Sequence, residues 1–169
     1  MKIQARISLF IVLFFSLELG ASHLLGGEIT WECTTGGQYE FTLKLYRDCT
    51  GINLTSNSEI ISGPLAGMSF AVTRVQINDL SPVCYNTSSG YGCPPNGTFP
   101  VKRGSVEEHI YKGTVSLSGV PPPGGWTFSW TDCCRPPLEN TNSGAYFLRS
   151  KMYPYTPPGA SAPLNARQC

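Results

Sequence analysis

Seven cysteines carry the least ambiguous chemistry in this chain: Cys33, Cys49, Cys84, Cys93, Cys133, Cys134 and Cys169. They contain no CxxC pair, and neither histidine, His23 or His109, stands beside a cysteine pair. Structural zinc normally uses close C-x₂₋₄-C spacing, and dithiol redox catalysis uses CxxC, so disulfide formation is the chemistry these residues point to. Each bridge would restrict the unfolded chain by roughly 2–4 kcal/mol. A direct Cys33–Cys49 bridge is sterically possible and depends on strand register. Cys84 and Cys93 enclose residues 85–92, so a local loop staple is expected there. Adjacent side chains in a strand face opposite ways, so Cys133 and Cys134 should serve two different partners. One arrangement sends one of them to the Cys33/Cys49 region and the other toward Cys169 or beyond. A vicinal bridge would need unusual backbone geometry. The odd count leaves one thiol free, bound to another chain, or partnered beyond Cys169.

The remaining reactive side chains form no constellation. Glu28, Glu32, Glu40, Asp48, Glu59, Asp79, Glu107, Glu108, Asp132 and Glu139 are scattered. A glycosidase needs two carboxyl groups facing each other across a cleft, and spacing selects no such pair. Glu28, Glu32 and Glu40 read as the solvated sides of strands. Residues 140–143, Asn-Thr-Asn-Ser, offer oxygen ligands for calcium but read better as a turn. Were His23 the first residue after processing, its amine and ring, with His109, would make the brace of a copper-dependent polysaccharide oxygenase. Nothing else in the chain calls for copper. Trp31, Trp126, Trp130 and eight tyrosines suit carbohydrate stacking or protein contacts, although alternation puts most of them on the presumed core face. Asn53-Leu54-Thr55, Asn86-Thr87-Ser88 and Asn96-Gly97-Thr98 satisfy the N-glycan acceptor rule.

The elements that must position these residues are extended. Residues 28–33 alternate, with Ile29, Trp31 and Cys33 on one side. A glycine turn, Gly36-Gly37, leads into residues 39–47, where Tyr39, Phe41, Leu43 and Leu45 face inward. Further strands are expected over 68–77, with the alternation slipping near Val72, and over 106–118, 126–130 and 145–153. Residues 105–108 offer a helical turn as an alternative start. Residues 62–67 and 78–101 interrupt order, and Pro121-Pro122-Pro123-Gly124-Gly125 bars any regular element. No apolar stripe at helical spacing lasts more than about a turn. Many short strands with Gly/Pro punctuation predict an all-β, disulfide-stapled β-sandwich or open barrel.

Ahead of this comes a secretory pattern. Lys2 and Arg6 precede the apolar run 7–17, and small residues Gly20-Ala21-Ser22 follow. Residues 1–21 are therefore expected to be a signal peptide, and 22–169 an extracellular module with no integral membrane segment. Removing Lys2, Arg6 and Glu18 from twelve basic and eleven acidic residues leaves ten of each. A neutral mature chain gives no electrostatic reason to bind nucleic acid.

Residues 21–33, Ala-Ser-His-Leu-Leu-Gly-Gly-Glu-Ile-Thr-Trp-Glu-Cys, with 37–49 and the later Trp130-Thr131-Asp132-Cys133-Cys134-Arg135, resemble a known N-terminal module. It is that of secreted and surface proteins of the Bacteroidetes, related to gliding-motility-associated and type IX secretion cargo proteins. Asn140-Thr141-Asn142 falls where that family often has an asparagine-containing turn, whereas Pro136-Pro137 replaces its more polar continuation. The resemblance covers essentially all of 22–169. It implies a secreted or cell-surface location in a long protein carrying further β-domains, and no catalytic residue. The odd cysteine count and the stop at Cys169 lead to the expectation of the N-terminal part of a longer protein, incomplete at its C-terminal end. The combined reading is a non-catalytic structural or adhesive module without cofactor or metal, whose partners are extracellular polysaccharide or surface proteins. A secreted carbohydrate-active enzyme, hydrolytic or copper-oxidative, is the rival reading.

Overall fold

Gly36 and Gly37 both adopt positive φ, 61° and 78°, and fold β1 (Leu24–Cys33) back onto β2 (Gln38–Asp48). The hairpin pairs Ile29 with Leu43 and Trp31 with Phe41. The computed structural model describes residues 24–51, 53–81, 92–93, 104–135 and 144–168, with backbone alone for Cys133, Cys134, Arg135 and Gln168. After the hairpin come β3 (Ser58–Ser62), β4 (Ser69–Asp79), β5 (Val106–Ser116), β6 (Trp126–Arg135) and β7 (Gly144–Met152), then a 3₁₀ turn at Ala166–Gln168. No α-helix occurs among the described residues, so the fold is all-β as the alternation predicts.

The seven strands form one sheet in the order β1-β2-β5-β4-β3-β6-β7, each neighbour antiparallel. With an odd number of alternating strands, β1 and β7 run the same way. They meet at a seam where the Tyr146 hydroxyl donates to the Leu24 carbonyl. At that seam a Cβ on Gly27 would stand 2.7 Å from Leu148 Cδ1, so glycine is what lets β1 come close. Between the two expected architectures, the chain takes a nearly closed barrel-like sheet.

Alternation fills its interior. Along β2, Tyr39, Phe41, Leu43 and Leu45 are all buried, as expected. Phe41 meets Phe128 of β6 with ring centroids 4.5 Å apart, and Phe70 of β4 at 4.9 Å. Three strands separate β2 from β6 within the sheet, so the Phe41–Phe128 contact crosses the interior and ties opposite walls together. Such aromatic pairs contribute about 0.5–1.5 kcal/mol beyond their buried area.

Three details depart from the sequence reading. β3 carries no strand signal in the sequence, because Ile60 and Ile61 are adjacent and five residues show no clear period. The register of β4 breaks between Arg74 and Gln76, so the slip falls at Val75 and not near Val72. At residues 105–108 there is no helical turn: β5 begins at Val106, pinned by Asp48 opposite.

Gly113, in β5, lies against β4 so closely that an added Cβ would overlap the Ala71 carbonyl oxygen and sit 2.9 Å from Val72 Cγ1. Gly113→Ala is expected to destabilise by about 1–3 kcal/mol in urea melts, the usual cost of overpacking. Gly124→Ala, where nothing lies within 4 Å, should leave the midpoint nearly unchanged.

Candidate functional site

The inward parity of β2 does not stop at Leu45. It continues to Arg47, which is 2% exposed. A buried guanidinium must be paired, and the register of β5 supplies the partner: Glu107 lies directly opposite Arg47, and His109 opposite Leu45. Arg47 Nε donates to Glu107 Oε1 at 2.6 Å, and Arg47 Nη1 to the Gly51 carbonyl at 2.9 Å. His109 Nε2 lies 2.6 Å from the same carboxylate oxygen, and Arg74 Nη1 lies 3.4 Å from His109 Nδ1. Arginine can only donate and an ionised carboxylate can only accept, which assigns Nε2–H as the donor and Nδ1 as the acceptor. Arg74 also donates to the Leu54 carbonyl at 2.8 Å and to Asn57 Oδ1.

Burial alone would push the Glu107 carboxyl up. The hydrogen bonds from His109 and Arg47, together with the charge of Arg47, outweigh it and hold the group at about 2. A carboxylate that acidic is a weak base. The adjoining pocket, about 210 Å³, is lined by Arg47, Asn53, Leu54, Arg74, Ile77, Glu107 and His109, with no serine, threonine or thiol nucleophile among the described residues.

The Cys49–Cys93 disulfide closes this end of the barrel, with Cα atoms 5.6 Å apart. Cys49 N donates to the Ser105 carbonyl, and Cys93 N to Asp79 Oδ2. Burial would raise the Asp79 carboxyl, but hydrogen bonds from Ser81 and Cys93 lower it on balance. Cys93 thus bridges to Cys49 at the end of β2, not to Cys84 in a local loop staple. Sequence distance favoured the loop, whereas the strand ends bring position 93 to position 49. That bridge also rules out a direct Cys33–Cys49 bond, and Cys33 is disulfide-bonded elsewhere. The sulfurs of Cys49 and Cys93 and a Glu107 oxygen lie within 4.8 Å of one another, but sulfurs joined in a disulfide offer no thiolate to a metal. Across Cys133 and Cys134 the β6–β7 register slips between Asp132 and Arg135, so the strict alternation behind the two-partner expectation does not hold there. Their sulfurs, Cys84, Cys169, His23, Glu139, the 140–143 turn and the glycan triplets at Asn86 and Asn96 lie outside the described residues. So does the expected signal segment.

The opposite end of the barrel, about 27 Å away along β2, is built from aromatics. There the segment after β7 folds across the opening. Leu164 N donates to the Tyr155 carbonyl, Ala166 N to the Gly119 carbonyl at 2.7 Å, and the Tyr39 hydroxyl to the Ala166 carbonyl at 3.2 Å. Asn165 Oδ1 accepts from Gly119 N and Arg167 N, fixing the 3₁₀ turn. The result is a second cleft of about 210 Å³, lined chiefly by Trp31, Tyr39, Met152, Tyr153, Tyr155 and Leu164, with no charged side chain among the described residues. Trp31 and Tyr39 meet edge to face at 5.8 Å. Alternation assigned most aromatics to the core. Trp130 obeys, with Nε1 donating to Glu59, but Tyr153 and Tyr155 are 59% and 62% exposed. Tyr153 continues the outward parity of β7, whereas Tyr155 lies past the expected strand 145–153, where no alternation could have placed it.

Comparison with known protein families, with curated proteins and with solved structures finds no match for this chain. No helix among the described residues is long and apolar enough to cross a membrane.

Because the Glu107 carboxyl is lower in the folded chain than its ordinary 4.5, its contribution to stability is present above about pH 5 and is lost as pH falls toward 2. Glu107→Gln should cost about 3–5 kcal/mol at pH 7, the usual penalty for orphaning a buried partner. The variant should also lose less further stability than wild type between pH 5 and pH 2.5. Denaturant melts of the oxidised protein at the two pH values check both.

Proposed function

We propose that this chain is a non-catalytic adhesive module of an exported protein, and that it takes its ligand in the aromatic cleft at the β1–β2 turn end. The observation that carries this reading is the cleft itself. Exposed Tyr153 and Tyr155 stand beside Trp31 on a wall that, among the described residues, carries no charged side chain, an arrangement fitted to stacking on sugar rings or apolar side chains. Cleft and disulfide belong together in this reading. Sulfur cross-links suit a module working in an oxidising compartment outside the cell, and a rigid barrel presents exposed aromatics at low entropic cost. The resemblance to the Bacteroidetes surface-protein module points the same way.

The polar end supports a non-catalytic assignment. Its carboxylate is a weak base, its histidine has both nitrogens engaged, and among the described residues no second carboxylate lines its pocket and none lines the aromatic cleft. A glycosidase would need two such groups facing a substrate.

Isothermal titration of the oxidised mature chain with a panel of matrix polysaccharides tests the reading. Binding should be detectable, and Tyr155→Ala should weaken it roughly two- to tenfold, as expected for the loss of about 0.5–1.5 kcal/mol of aromatic contact. Release of soluble sugar products, or binding indifferent to changes at both Tyr153 and Tyr155, would overturn it.

A further inference from the structure

The outward face of β7 carries a regular pattern of cations and aromatic rings. Inward positions Tyr146, Leu148, Ser150 and Met152 alternate with outward Phe147, Arg149, Lys151 and, just past the strand, Tyr153. Arg149 Cζ lies 4.8 Å from the centre of the Phe147 ring, and Lys151 Nζ lies 5.9 Å from that of Tyr153. Each cation is thus held by an aromatic ring two residues away along the strand, within the distance at which the ring quadrupole attracts a cation. Alternate strand residues are about 6.6–6.8 Å apart, so Phe147 to Tyr153 makes a straight track roughly 20 Å long.

This track is positively charged, and no compensating charge pairs with it among the described residues. Among the described residues neither Arg149 nor Lys151 has a carboxylate partner. The register sets neutral Ser129 and Thr127 opposite them on β6. Across the seam on β1, Glu28 is taken by Lys44 at 3.1 Å. Residues 22–169 carry ten basic and ten acidic side chains, so the charge is a local feature and not an overall excess. Tyr153 belongs both to the track and to the aromatic cleft, and the two surfaces are therefore continuous.

We infer that the ligand is a linear anionic polysaccharide, lying along β7 with its acidic groups on Arg149 and Lys151 and a sugar ring stacked in the cleft on Tyr153 and Tyr155. A guanidinium matches carboxylate or sulfate oxygens with parallel hydrogen bonds, and an ammonium adds a point charge. The cation–π contacts hold both side chains in place before the ligand arrives, which reduces the ordering cost of binding. This inference rests on the adhesive reading and adds the ligand class to it.

Matched probes separate the two claims. Titration calorimetry compares polygalacturonate with its fully methyl-esterified, neutral form, and dextran sulfate with dextran; poly-L-glutamate serves as an acidic polymer without sugar. At least one anionic polysaccharide should bind ten times or more tighter than its neutral counterpart. That advantage should shrink as salt rises, because exposed charges are screened within about 10 Å at 0.1 M. Arg149→Gln with Lys151→Gln should remove at least tenfold of the anionic affinity while circular dichroism and melting stay unchanged. Whichever pair responds identifies carboxylate or sulfate as the recognised group. Equal binding of charged and neutral members, lost in Tyr155→Ala but unaffected in the double variant, would overturn the anionic ligand and leave the adhesive reading standing. Poly-L-glutamate binding as tightly as the best polysaccharide would overturn the sugar assignment. No binding by any probe would overturn both.

Discussion

Burying Arg47 is the constraint around which the barrel is organised. The two-residue period of β2 sends Tyr39, Phe41, Leu43 and Leu45 into the interior, and the same period carries Arg47 in after them. A guanidinium there is tolerable only if a carboxylate meets it, and Glu107 meets it only when β5 pairs with β2 in a single register. Slipping that register by one residue would turn Glu107 outward and leave the buried guanidinium without its carboxylate. The ion pair thus acts less as a source of net stability than as a lock on strand alignment. His109 and Arg74 extend it to β4 through the shared carboxylate and ring nitrogens.

The two ends of the barrel then have different physical characters. At the Arg47 end the guanidinium, the carboxylate and both ring nitrogens of His109 are engaged, and the Cys49–Cys93 bridge fastens the strand ends. Loop-closure entropy across a separation of 44 residues makes that bridge worth about 4 kcal/mol. A network so fully satisfied has little left to offer a ligand. At the other end the chain beyond β7 crosses the opening and leaves aromatic faces exposed, with backbone hydrogen bonds holding the segment. One end is closed by charge and sulfur, the other left open by tyrosines. That division gives the adhesive reading its physical basis, since recognition needs unsatisfied surface on a rigid support.

Local pattern carried much of this. The all-β class, the β1–β2 hairpin and the interior set Tyr39, Phe41, Leu43 and Leu45 follow from alternation and from Gly36-Gly37, because side-chain parity in a strand is a local property. Charge balance and the lack of any CxxC pair are likewise properties of composition and spacing. Even the burial of Arg47 was implicit in that parity, although a charged residue at the end of an apolar series reads more naturally as the point where a strand emerges into solvent.

What local pattern could not decide is which strands become neighbours. The order β1-β2-β5-β4-β3-β6-β7 sets Glu107 opposite Arg47, sixty positions away, and brings Cys93 to Cys49 when Cys84 is nearer in sequence. It also curls the sheet until β7 touches β1, leaving Phe147, Arg149, Lys151 and Tyr153 along one outer face that leads to the cleft. Parity and turn chemistry act over a few residues and can be read from them. Pairing between distant strands depends on how the whole interior fills, and only the folded chain fixes it.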